Sequence, residues 1–238
     1  MRDMALKLAL SPVLAAQGWR ARKMARSLDE PEGARSGVLG SGPRLRVLIL
    51  GDSSALGVGV THQRDALSGH ITRALSRDFE LHWRLNAVSG ATTAQTLNRL
   101  RAEESGPFDI AVTALGVNDV TKNEMLGRWL RHTRTLCDTL RGQYGCAGVY
   151  VSGMPPIGSF PLLPNPLRWV LAEQGKRWDL ALQAMLQGMG GCHYVPAADT
   201  LEPGQMSPDG FHPGPEVYDM WGREVLRVMD PHLEALKT

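Results

Sequence analysis

Short aliphatic runs alternate along the chain with longer stretches in which apolar residues recur every three or four positions. This is the signature of strands alternating with helices. Residues 46–50 read Arg-Val-Leu-Ile-Leu and close on Gly51, as a strand buried on both faces does. Further strands are expected at 80–88, 109–115, 148–152 and 193–196. Helices are expected at 65–77, 93–104, 124–141 and 166–187, and a last one at 215–228 begins with a proline at a tolerated first-turn position. No fixed-period repeat is present. The succession predicts an α/β fold, a three-layer α/β/α sandwich around a central parallel sheet of about five strands. In such open sheets ligands collect beyond the carboxyl ends of the strands, so chemistry is sought in the residues that follow each strand.

The N-terminus departs from this rhythm. Residues 4–16 are apolar and rich in Ala and Leu, interrupted by Lys7 and Pro12. They fall short of the about 20 apolar residues that span a bilayer. A secretion signal carries its positive charge ahead of the apolar run, whereas here Arg20, Arg22, Lys23 and Arg26 follow it. The stretch resembles an amphipathic surface segment, with two readings open: a helix docked on its own domain or on a second copy, and peripheral contact with a membrane. Residues 29–42, rich in Gly, Pro, Ser and charge, read as a linker. The chain thus divides into an N-terminal amphipathic segment with linker, 1–42, and one domain, 43–238.

Composition narrows the classes. With 43% hydrophobic and 21% charged residues in 238, the chain has the balance of an ordinary globular domain. A net charge of +2, with basic and acidic residues interleaved, argues against nucleic acid as a partner. Cys137, Cys146 and Cys192 are odd in number and lack Cys-x-x-Cys spacing, so neither a disulfide framework nor a zinc site is expected. Each is expected to behave as a small buried apolar residue. Free thiols fit a reducing compartment, and a cytoplasmic location is the expectation, with membrane association resting on the N-terminal segment. The histidines lack ligand spacing and no metal is expected. Gly57-Val58-Gly59 lacks the third glycine of a dinucleotide fingerprint, and neither a Walker A sequence nor a G-x-S-x-G elbow occurs.

After the first strand comes Gly51-Asp52-Ser53-Ser54, after the second Ser89-Gly90, and after the third Gly116-Val117-Asn118-Asp119. Asp209-Gly210-Phe211-His212-Pro213 lies well beyond the fifth. Taken singly, each piece is ordinary, because serines after strands cap and turn and lone glycines turn. Together they supply what acyl transfer needs. Ser53 offers a hydroxyl, His212 a base, and Asp209 a carboxylate that can fix the base's tautomer if the segment makes one tight turn. Gly90 can bring a backbone N–H close, the Asn118 amide is a side-chain donor, and the Ser53 N–H is a third donor for an oxyanion.

In order and spacing, these pieces resemble the four blocks of the SGNH (GDSL-type) hydrolases, from about Arg44 to the C-terminal helix. The first forty residues lie outside the resemblance. It implies Ser53, Asp209 and His212 as catalytic residues, and Ser53, Gly90 and Asn118 as the oxyanion hole. It also implies a small-molecule ester of short or medium acyl chain as substrate, cleaved through an acyl-enzyme without a cofactor. Thioesterase, lysophospholipase, carbohydrate deacetylase and acyltransferase roles share that chemistry. A non-catalytic binding protein on the same fold is the alternative of another class, against which the intact Ser53, Asp209 and His212 speak. Ser54-Ala55-Leu56-Gly57 stands where many members carry Leu-Ser, which bears on subclass and not on the nucleophile.

Residues 154–164, Met-Pro-Pro-Ile-Gly-Ser-Phe-Pro-Leu-Leu-Pro, follow the fourth strand. A loop this apolar should cover something. Either it lines a substrate pocket through Met154, Phe160 and Leu162, or it seals the core or a subunit contact. Asp52 and Asp119 are expected to hydrogen-bond neighbouring loop backbone.

Overall fold

The computed structural model describes residues 2–25, 28–103 and 106–237. In chain order the elements are α1 (Arg2–Ala25), β1 (Ser36–Leu39), β2 (Arg44–Gly51), α2 (Ser53–Leu56), α3 (Leu67–Leu75), β3 (Glu80–Ala87) and α4 (Thr93–Ala102). There follow β4 (Ile110–Ala114), α5 (Val117–Thr121), α6 (Leu126–Gly142), β5 (Gly148–Ser152), α7 (Leu167–Gln187), β6 (Cys192–Val195) and α8 (Pro215–Lys237). The strands form one sheet in the order β1-β3-β2-β4-β5-β6, parallel except for β1.

β2 shows why the sheet has helices on both sides. Leu45, Val47 and Ile49 enter a core with residues of α3 and α8, while Leu48 and Leu50 enter a second core with residues of α4, α6 and α7. Alternate side chains of a strand face opposite ways, so a run apolar at every position needs cover on both faces. The register then sets the site. Gly51 at the end of β2 pairs with Ala87 of β3 and Ala114 of β4, so three loops leave the sheet side by side.

The sheet has six strands where the sequence pattern gave about five. The addition is β1, inside the stretch read as linker, pairing antiparallel with β3 from Ser36↔Arg84 to Leu39↔Leu81. All four of its residues are exposed, so it has no buried face to imprint an apolar pattern. Ser53 and Asn118, expected on loops, sit in the one-turn helices α2 and α5. α8 runs through Pro231 and beyond the expected end at 228. Glu104, the expected end of α4, and Arg26 lie outside the described residues.

α1 is a single helix through Pro12, and its apolar positions are not gathered on one face. Gln17 ties it to the same chain at the start of α7. Its Nε2 donates to the Asn165 carbonyl (3.0 Å), and its Oε1 accepts from the Leu167 N–H (3.2 Å). No helix among the described residues is long and apolar enough to cross a membrane. Cys137, Cys146 and Cys192 are free and buried.

Candidate active site

At the end of β2 the chain turns sharply. A Cβ on Gly51 would stand 2.5 Å from the Ala114 carbonyl oxygen and 2.4 Å from the Ala55 Cβ, so only glycine fits where β2, β4 and α2 converge. Asp52 then caps α2, its Oδ1 accepting from the Ser54 N–H (3.0 Å) and hydroxyl (2.7 Å). Ser53 becomes the first residue of the helix, where a backbone N–H has no intrahelical acceptor.

The base comes from the far end of the chain. Ser207-Pro208-Asp209-Gly210 folds into a tight turn, with the Gly210 N–H on the Ser207 carbonyl (2.8 Å) and the Ser207 N–H on the His212 carbonyl (2.9 Å). Asp209 Oδ1 accepts from the Ser207 hydroxyl (2.6 Å) and from the N–H groups of Phe211 (2.9 Å) and His212 (3.0 Å). Its Oδ2 meets His212 Nδ1 at 2.6 Å, and His212 Nε2 lies 2.9 Å from Ser53 Oγ. Burial pushes the Asp209 carboxyl upward, but the bonds from His212, Ser207 and the two backbone groups outweigh it and hold the group well below the usual carboxylate range. The resulting chain Ser53–His212–Asp209 can pass the hydroxyl proton to the ring and keep the ring oriented.

Gly90 has φ +74°, a left-handed conformation that glycine adopts without strain. Its carbonyl accepts from Lys122 Nζ (2.6 Å), which fixes the peptide that follows. Among the described residues nothing accepts from the N–H of Gly90 or of Ser53. Asn118 gives one amide hydrogen to Asp52 Oδ2 (2.8 Å), which leaves the other for the groove. Ser53, Gly90, Asn118 and His212 all line one groove of about 1600 Å³.

A smaller cavity of about 350 Å³ also reaches Ser53, Asn118 and His212, and is lined further by Phe160, Leu201, Met206 and Trp221. Of the three residues expected to line a pocket from the 154–164 loop, Phe160 alone does so. Met154 is buried against Gly116 and Gly175, and the Leu162 N–H bonds the Gly210 carbonyl (3.0 Å); neither borders this cavity or the groove. The loop instead contributes Leu163 to the larger groove. No group of three or more His, Cys, Asp or Glu among the described residues is placed to hold a metal ion.

Residues 49–220 match the GDSL-like lipase/acylhydrolase family, well over half of the chain. The chain belongs to this family. Compared by sequence with curated proteins, it matches none. Among solved structures this GDSL-family chain is similar to TesA, with 22% identity over 78% of this chain and 98% of that one and a TM-score of 0.58. It is similar to a GDSL-like lipase from Bacteroides thetaiotaomicron, with 16% identity over 90% of this chain and 98% of that one and a TM-score of 0.60. It is also similar to a family 3 carbohydrate esterase from Clostridium thermocellum, with 17% identity over 82% and 100% and a TM-score of 0.61. At these identities the likeness is one of fold.

Two residues of this GDSL-family site, Ser207 and Lys122, escaped the sequence reading, and Asp52 does more than was expected of it. Asp52 holds the Asn118 amide as well as the backbone bond expected of it. Ser207 donates to Asp209, a contact the Ser-Pro-Asp-Gly turn signal could have suggested. Lys122 carries no such signal, since only the fold brings it to Gly90.

Proposed function

We propose that the chain hydrolyses carboxylic esters through an acyl-enzyme on Ser53. The observation that carries this reading is the hydrogen-bonded chain from Ser53 Oγ through His212 to the firmly ionised Asp209, opening on a groove that Gly90 and Asn118 also line. Ser53 Oγ attacks the ester carbonyl while His212 Nε2 takes its proton. The Ser53 and Gly90 N–H groups and the free Asn118 amide hydrogen receive the negative oxygen. His212 returns the proton to the departing alcohol. A water molecule then repeats the sequence on the acyl-serine, with His212 again the base, and releases the carboxylic acid. The structural neighbours named as a lipase and a carbohydrate esterase support an ester as the bond broken.

Purified protein is expected to release p-nitrophenol from p-nitrophenyl butyrate. Ser53→Ala should lower kcat by a thousandfold or more while the fold, followed by circular dichroism, is kept. Full activity in that variant would sink the reading.

A further inference from the structure

The groove that holds Ser53 has a wall from outside the region matched by the family, which begins at residue 49. Leu14, Ala15, Gly18 and Ala21 of α1 line the same space as Ser53, Gly90, Asn118 and His212. Their spacing of three and four sets them on one side of the helix. Three of the four are small, so α1 closes the groove without filling it: a Cβ built on Gly18 meets nothing within 4 Å. The two hydrogen bonds of Gln17 to Asn165 and Leu167 hold the helix at that distance from α7. Leu167, Val170 and Leu171 of α7 continue the apolar wall, and Gln95, Asn98 and Lys122 stand among the polar residues of the groove.

We infer that α1 and α7 enclose the site of a long acyl chain, so that the substrates are esters of long-chain fatty acids, longer than the short or medium chains implied by the family resemblance. This rests on Ser53 being the acylated residue, and the groove is continuous with Ser53. Its volume, about 1600 Å³, exceeds the roughly 300–1,000 Å³ that ordinary small-molecule pockets offer, whereas the 350 Å³ cavity lies at the bottom of that range. Each methylene buried on the way to the transition state favours reaction by about fourfold, so kcat/KM rises with chain length while the chain stays between the helices.

The test uses the full-length protein and Gly18→Leu, which places a branched side chain in the open space and replaces a helix-weakening residue, with Ala15→Leu as a second variant. Two quantities are read: the dodecanoate-to-acetate ratio of kcat/KM for p-nitrophenyl esters, and dodecanoate binding by displacement of a pyrene-labelled fatty acid. Both are expected to fall at least tenfold in the variants. A ratio and an affinity left unchanged would overturn the inference, as would a ratio moved by Phe160→Trp in the smaller cavity and not by Gly18→Leu. A protein that turns over acetate esters but binds no dodecanoate sinks the long-chain site and leaves ester hydrolysis standing. One that binds dodecanoate in a Gly18-dependent way but cleaves no ester supports the chain site and sinks the hydrolase reading.

Discussion

Asp52 is the residue on which two parts of the site depend. One carboxylate oxygen caps α2 and so presents Ser53; the other takes a hydrogen from Asn118 and so aims the remaining one. Burial pushes this carboxyl upward, and the bonds from Ser54 and Asn118 offset that only in part. Asn118→Ala is expected to lower kcat for p-nitrophenyl butyrate by a hundred- to a thousandfold with KM little changed, as loss of one oxyanion donor does. Asp52→Asn, which keeps an oxygen to cap α2 but offers Asn118 no acceptor, should approach the same loss by releasing Asn118. Because the two act as a unit, the double variant should be little worse than Asn118→Ala alone. Losses that simply multiply would mean that Asp52 does not work through Asn118.

Among elements, α8 joins distant parts of the chain. It follows directly on the His212 turn, and Tyr218 near its start is fully buried, with its hydroxyl on the Val58 carbonyl (2.7 Å) just beyond α2. Tyr218→Phe leaves that carbonyl without its partner and should lower stability by about 1–2 kcal/mol, read as a lower urea midpoint with unchanged slope. An unchanged midpoint would show that the bond adds nothing to the fold. The elements also explain what the sequence could reveal. β2, β4 and β5 were legible because strands buried on both faces are apolar at nearly every position. α2 and α5 were not, since a single turn is too short to show a period, and β1 lacks a buried face. Ser53, Gly90, Asn118 and His212 stood out because each lies within a few residues of a strand end or a strong turn signal. The α1 wall did not, because Ala15 and Gly18 contribute by being small, and small residues carry no mark of what they face.

For the whole molecule, the carboxylates along this edge of the sheet divide into two groups that respond oppositely to pH. Burial pushes Asp119 up to about 6 against the opposing bonds from Thr93, with the Asp52 charge adding to the rise. The folded state therefore takes up this proton before the unfolded chain does. The resulting stabilisation is complete below the unfolded value near 3.8 and is lost as pH rises through 6. Asp209 is displaced downward, and its contribution is present above the ordinary carboxylate range and lost only in stronger acid. Between pH 7 and pH 5 Asp209 stays ionised in both states, so this window reads the carboxyls displaced upward: Asp119, for which a gain of about 1 kcal/mol is expected, and Asp52, whose rise works in the same direction. His193, lowered by burial and by His232, works against that gain as pH falls. It does so equally in an Asp119→Asn variant, so the difference between the two proteins cancels it. Urea unfolding of wild type and Asp119→Asn at pH 7 and pH 5 should show the wild type gaining on the variant by about that amount as pH drops. A constant difference would mean that Asp119 is not the carboxyl protonating in this range. A wild type that loses ground to the variant as pH drops would place its proton affinity on the low side, with Asp209.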